Sequence, residues 1–169
     1  HFAEKKEYSK DGIDDAEFRI SLNQGQQVKP LTEVASGGEL SRIMLAIKAV
    51  LADTDDIPTL IFDEIDTGIS GRTAQKVSEK LSYIARNHQV ICITHLPQIA
   101  AMADTHFEIA KSAAAGSTTT TIHPLCGDEM VKELARLLGG AKITDAVYDN
   151  AREMKVLADQ SKLYKTVNN

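Results

Sequence analysis

Leu60-Ile61-Phe62-Asp63-Glu64 is the stretch on which the fold of this chain turns. A short unbroken apolar run has the pattern of a strand buried on both faces, as in a parallel sheet, and not the alternation of a strand with one wet face. It ends in two adjacent carboxylates, and ligands of open α/β sheets sit beyond the carboxyl ends of the strands. Upstream, Leu40, Ile43, Met44, Ile47, Val50 and Leu51 recur at three and four, which predicts an amphipathic helix of about four turns after Ser36 with this stripe as its core face. Asp53 to Pro58 breaks it. Downstream, Val77, Leu81, Ile84 and Ala85 mark a second helix after the Gly68 to Gly71 loop, and Val90 to Thr94 a second buried strand that runs into His95. Leu96 to Met102 is a short helical piece and Thr105 to Ala110 a further strand. Strand, helix, strand, helix, strand implies an α/β fold with a mainly parallel sheet flanked by helices.

The remaining segments are attached to that core. Residues 1 to 14 are polar, of mixed charge and without period, a frayed lead-in with a turn signal at Asp11-Gly12. Ala16, Phe18, Ile20 and Leu22 alternate with polar residues and predict a half-buried strand, followed by a turn at Asn23-Gln24-Gly25-Gln26. Gly116-Ser117 turns the Thr105 to Ala110 strand into the Thr118 to Leu125 stretch as a β-hairpin. Met130, Val131, Leu134, Leu137 and Leu138 form a helical stripe that ends at Gly139-Gly140, where glycine suits a left-handed C-cap. Thr144 caps a last helix with Val147, Ala151, Met154 and Ala158 on one side.

With 169 residues, 43% of them hydrophobic and 25% charged, the chain fits one globular unit, and no run approaches the roughly 20 apolar residues that cross a bilayer. A formal net charge of -5 argues against a general nucleic-acid clamp, which favours basic stripes. Cys92 and Cys126 are too few for a disulfide framework and lack metal-ligand spacing, so a reducing cytoplasm is the expected compartment.

Three pieces of chemistry stand in order. Ser36-Gly37-Gly38-Glu39 reads as a capping box, Ser36 at the N-cap and Glu39 three residues on. Glycine in a helical turn is disfavoured by up to about 1 kcal/mol against alanine, so the pair calls for a close approach of backbone to something else. A helix start with free N–H groups suits a phosphate, and phosphate contact does not compete with the cap. Asp63 and Glu64 could mark a strand leaving for solvent. Alternatively, Asp63 holds magnesium and Glu64 orients or deprotonates an attacking water. Asp66-Thr67-Gly68-Ile69-Ser70-Gly71 alone is an ordinary loop and His95 alone a local hydrogen-bonding histidine; their order and shared strand-end position favour function. His88 is expected in an exposed loop, and His106 and His123 in the hairpin.

Ser36-Gly37-Gly38-Glu39 resembles the signature motif of ATP-binding-cassette ATPases, Leu60 to Glu64 the Walker B strand, Asp66 onward the D-loop and His95 the switch histidine. Within that superfamily, Ala35 to Arg42, Phe62 to Gly71, Thr94 to Gln98 and Leu134 to Gly140 are similar to the RecN family of DNA repair proteins, related to the structural-maintenance-of-chromosomes proteins. The resemblance implies a P-loop NTPase-like head that uses ATP and Mg2+, with two heads closing around two nucleotides. Ser36, Gly37, Gly38 and Glu39 would contact the nucleotide held by the opposing subunit. Asp63 as metal ligand, with Glu64 and His95 as catalytic residues, would serve the nucleotide of their own head, and Asp66 would lie at the dimer seam.

The sequence contains no G-x-x-x-x-G-K-[ST] loop, which in this family lies near the N-terminus beyond a long coiled coil. The resemblance therefore implies the C-terminal lobe of a split head over residues 16–163, with a lead-in before it and a tail after 164. The implied partners are the N-terminal lobe carrying Walker A, a second head, and DNA through the complete protein, with no membrane. It also implies a further strand between Val90–Thr94 and Thr105–Ala110. Two other classes remain: a metal-dependent nuclease or phosphatase built on Asp63, Glu64 and Asp66, and a non-catalytic dimerisation module.

Overall fold

The computed structural model describes residues 1–22, 25–33, 36–52, 54, 56–114, 117–140 and 142–167; the side chains of 113, 114, 117 and 164–167 are not described. The chain is α/β. Its centre is the parallel pair β5 (Thr59–Phe62) and β6 (Gln89–Cys92), in register from Thr59 opposite Gln89 to Phe62 opposite Cys92. Helix α2 (Gly71–Ile84) makes the crossover between them. Helix α1 (Gly37–Leu51) precedes β5. Leu45, Leu60, Phe62, Ile65, Val77, Leu81, Ile84 and Ile99 form the core of this unit.

A second core lies where α3 (Pro97–Ala101), α4 (Asp128–Gly139) and α5 (Asp145–Val167) meet, with Ala101, Met102, Leu134, Ala135, Ala151 and Ala158 buried in it. Its alanines let the helices approach closely. Gly140 follows α4 at φ +63 as the expected glycine stop, and Thr144 Oγ1 accepts the Val147 N–H as α5 begins. Between α3 and α4 runs the antiparallel hairpin β7 (His106–Ala114) and β8 (Ser117–Leu125). Gly116 of its anticipated turn, like Ala35, Asp53, Asn23 and Gln24 of the segments above, lies outside the described residues.

Several expectations change. The expected lead-in over residues 1 to 14 is not frayed: β1 (Phe2–Ser9) and β2 (Gly12–Ala16) pair as a hairpin whose residues are exposed apart from half-buried Ile13. Without a buried face, selection for alternation is absent, which is why no period is visible there. The strand expected over Ala16 to Leu22 is divided, Ala16 closing β2 and only Arg19–Ile20 forming β3, paired with β4 (Lys29–Pro30) ahead of a short 3-10 helix at Leu31–Glu33.

The parallel sheet consists, among the described residues, of the β5–β6 pair; β7 bonds to β8 and not to β6. β5 is also not buried on both faces. Leu60 and Phe62 point into the core while Ile61 is 68% exposed, and Ile91 and Ile93 continue that open face.

The largest correction concerns α1. Gly38 and Leu45 are buried and Ser41, Arg42 and Ala49 half-buried along one side, so the helix faces the sheet with a stripe of small and polar residues. Leu40, Met44, Ile47, Val50 and Leu51, the anticipated core face, are all exposed, Val50 at 83%. Ile43 and Ile47 line a groove with Phe18, Ile20, Leu22 and Leu31. Periodicity identifies an apolar face but not which neighbour covers it.

Candidate functional site

The loop after β5 and the start of α1 are built against each other. Ser36, extended at φ -131 and ψ 143, caps α1 by accepting the Glu39 N–H at 3.2 Å, one half of the capping box. One turn on, the Ser41 hydroxyl donates to the Asp63 carbonyl at 2.8 Å. Arg42 Nη1 donates to the carbonyls of Ile65 at 3.1 Å and Thr67 at 2.9 Å.

One of the two glycines has a local reason. A Cβ on Gly38 would stand 2.8 Å from the Glu64 carbonyl oxygen and 3.0 Å from Thr67 Cβ, and one on Gly37 would run into Glu64 Oε2. A methyl group at residue 38 would therefore displace backbone, whereas at residue 37 the movable end of the Glu64 side chain would give way. The Glu64 backbone thus accounts for Gly38 without any ligand, and leaves Gly37 without a local requirement.

Asp63 and Glu64 are exposed at the end of β5. Asp63 Oδ1 accepts the Glu64 N–H at 2.9 Å. Glu64 has φ +56, the one described residue other than glycine in the left-handed region, where a side chain costs roughly 1–2 kcal/mol and persists because its surroundings impose it. The loop closes with the Thr67 N–H donating to the Glu64 carbonyl at 3.0 Å.

Asp66 turns inward and is 4% exposed. Its Oδ2 accepts from the Thr94 hydroxyl at 2.6 Å and the His95 N–H at 2.8 Å, and faces His95 Nδ1 at 2.9 Å. Burial pushes this carboxyl up, but the Thr94 and His95 hydrogen bonds and the His95 charge together hold it below the usual carboxylate value. Because a carboxylate only accepts, Nδ1 carries the proton and Nε2 is turned away from Asp66 on a ring whose side chain is 72% exposed. Behind the site, burial followed by the charges of Asp66 and Asp63 pushes the Cys92 thiol up to about 12, which keeps it protonated.

The structure thus gathers Ser36 with Glu39, Gly37 and Gly38 with Glu64, and Asp66 with His95. It does not gather Asp63, Glu64 and Asp66: no three metal-ligating side chains cluster among the described residues, and Asp66 is turned inward with its Oδ2 bonded to Thr94 and His95.

Ser41, Arg42 and Thr94, which lie inside the quoted motifs but receive no role from the sequence, hold the loop and Asp66 by hydrogen bonds. Gly38, Ser41, Arg42 and Leu45 at i, i+3, i+4 and i+7 were the available signal. His88, expected to be exposed, is buried, with Nδ1 2.7 Å from the Ile57 carbonyl and Nε2 3.1 Å from that of Ala52. It ties the end of α1 to the segment before β5.

No family model matches the chain. It is 48% identical over 158 residues to the DNA repair protein RecN of Halalkalibacterium halodurans, 94% of this chain and 28% of that one. With the DNA repair protein RecN of Bacillus subtilis the identity is 51% over 151 residues, 89% of this chain and 26% of that one. Among solved structures, a chain from structural biochemistry of ATP-driven dimerization and DNA-stimulated activation of SMC ATPases gives a TM-score of 0.46 at 26% identity over 67% of each chain. The chain spans about a quarter of the length of the curated relatives it matches, at 28% and 26%. On identities of 48% and 51% across nearly all of its residues, this chain belongs to the RecN family.

Proposed function

We propose that this chain is the C-terminal lobe of an ATP-hydrolysing head in a RecN-type protein of DNA repair. The observation that carries the proposal is the loop after β5: an exposed carboxylate pair at a strand end, with Glu64 held at φ +56 and, two residues on, a buried Asp66 that orients His95. A carboxylate on a left-handed turn, in a loop whose second carboxylate sets the tautomer of an imidazole, suits the orienting of water and the managing of its proton.

Glu64 orients the attacking water, and His95, presenting Nε2, stabilises charge on the transferring phosphoryl group. Asp63 suits Mg2+, an ion bound through one or two carboxylates together with waters and substrate phosphates. When bound, Mg2+ would neutralise charge on the ATP phosphates. Asp66, buried and bonded to Thr94 and His95, is turned away from Asp63 and Glu64, which supports this mode over the carboxylate-cluster nuclease. Ser36, Gly37, Gly38 and Glu39, at the start of α1 with its free N–H groups, face the nucleotide of a second head.

The open apolar surface fits a lobe that is covered in the complete protein. Ile61, Ile91 and Ile93 on one face of β5–β6, and Phe107, Ile109 and Ile122 on the hairpin, are each between 44% and 68% exposed. β6 and β7 are not bonded to one another, in keeping with a strand before Walker A inserted between them. In this reading the N-terminal lobe supplies strand and phosphate loop, DNA is engaged by the assembled protein, and the isolated chain turns over no ATP.

Glu64→Gln in the complete protein tests the assignment. Nucleotide binding is retained, hydrolysis is lost and closed head dimers accumulate; unchanged turnover would refute Glu64 as the water-orienting residue. Metal-dependent cleavage of DNA without ATP would favour the nuclease, and association that ignores nucleotide would favour the dimerisation module.

A further inference from the structure

One side of α1 is devoted to the backbone of the loop that carries Glu64. Ser41 holds the carbonyl at 63, one residue before Glu64, at 2.8 Å. Arg42 holds the carbonyl at 65, one residue after it, and the carbonyl at 67 through the same Nη1, at 3.1 and 2.9 Å. Gly38 gives the Glu64 carbonyl the space it occupies. The restraints straddle the one described residue other than glycine with positive φ. Rotation of Glu64 toward an ordinary right-handed turn would swing the peptide planes on either side of it and break at least one of these bonds.

Arg42 is half-buried, and a planar guanidinium points the two N–H groups of Nη1 in fixed directions, unlike a freely rotating ammonium. Directing a cation at two loop carbonyls therefore gives the loop one geometry. It also joins that loop to the helix whose first turn is the Ser-Gly-Gly motif.

We propose that Arg42, assisted by Ser41, is a positioning residue for Glu64: it imposes the left-handed turn that aims the carboxylate and makes the loop and the start of α1 move as one body. This rests on the role given to Glu64 above. Contact at the α1 start is then felt at the Glu64 of the same chain.

Steady-state ATP hydrolysis by the complete protein tests this with Arg42→Met, Arg42→Lys, Ser41→Ala and Glu64→Gln. Misplacing a reacting group by a fraction of an ångström lowers kcat, so Arg42→Met is expected to lose about tenfold in kcat with KM for ATP within about twofold of wild type. Arg42→Lys recovers part of the loss, and Ser41→Ala, which lacks one neutral hydrogen bond, loses about threefold. Turnover within about twofold of wild type in Arg42→Met overturns the proposal, as does a loss that appears wholly in KM. If Arg42→Met does not fold, Ser41→Ala decides: its kcat loss at unchanged KM supports the coupling and wild-type kcat overturns it. An active Glu64→Gln removes the role of Glu64 itself, whereas inactive Glu64→Gln with wild-type rates in the Arg42 and Ser41 variants removes only the positioning.

Discussion

Asp66→Asn isolates the contribution of charge at the buried end of the site. In the folded chain Asp66 Oδ2 takes two shielded donors, the Thr94 hydroxyl and the His95 N–H. An asparagine oxygen can replace it sterically but is neutral, and a hydrogen bond to a charged acceptor exceeds a neutral one by about 1 kcal/mol. Two such bonds give about 2 kcal/mol. The imidazole contact adds little, because the His95 side chain is 72% exposed and screened. For a chain of this size, about 2 kcal/mol lowers the unfolding midpoint by roughly 4–8 °C.

The pH dependence supplies the sign. The folded carboxyl of Asp66 lies below its ordinary value of 3.8, so its stabilisation is fully present above that value and is lost as pH falls through the lower folded one. Thermal unfolding of this chain followed by circular dichroism should show a constant gap between wild type and Asp66→Asn from pH 7 to about 4, closing below it. An equally stable variant, or a gap that closes near neutrality, refutes the buried carboxylate network.

The orientation of α1 and the environment of His106 give two further tests. Leu45→Ala should destabilise by about 3 kcal/mol, since Leu45 is in the core, while Val50→Lys stays within about 0.5 kcal/mol because Val50 is open to solvent; denaturant midpoints in the reverse order would mean that the helix is turned the other way. His106 is 7% exposed and its Nε2 is without a partner among the described residues. Burial first, then the charges of Lys155 and Lys162, lower its titration below the ordinary 6.5 against the opposing pull of the Ala103 hydrogen bond and Asp159. The folded state favours neutral His106, so stability is complete above 6.5 and declines as pH falls through the folded value. His106→Phe should therefore flatten the fall in unfolding midpoint between pH 7 and 5; an unchanged slope counts against it.

Local patterns carried the elements. The helices at α1, α2 and α4, the β5 and β6 strands, the β7–β8 hairpin and the Ser36 cap follow from spacing, glycine stops and capping chemistry, all set by residues a few positions apart. The strand-end positions of Asp63, Glu64 and His95 follow from the same order. What lay beyond the sequence was every choice between neighbours far apart in the chain. The large apolar stripe of α1 marks a surface without saying what covers it, and only the packing turned Gly38, Ser41, Arg42 and Leu45 toward the sheet. Asp66 and His95 are 29 residues apart, and no motif states that one carboxylate is buried to hold the other residue's ring. Nor does a positive φ at Glu64 have a signature in its own side chain: it arises from carbonyls anchored by a helix more than twenty residues upstream. Hydrophobic period is a property of a segment, whereas burial and strain belong to the contacts that tertiary structure assembles.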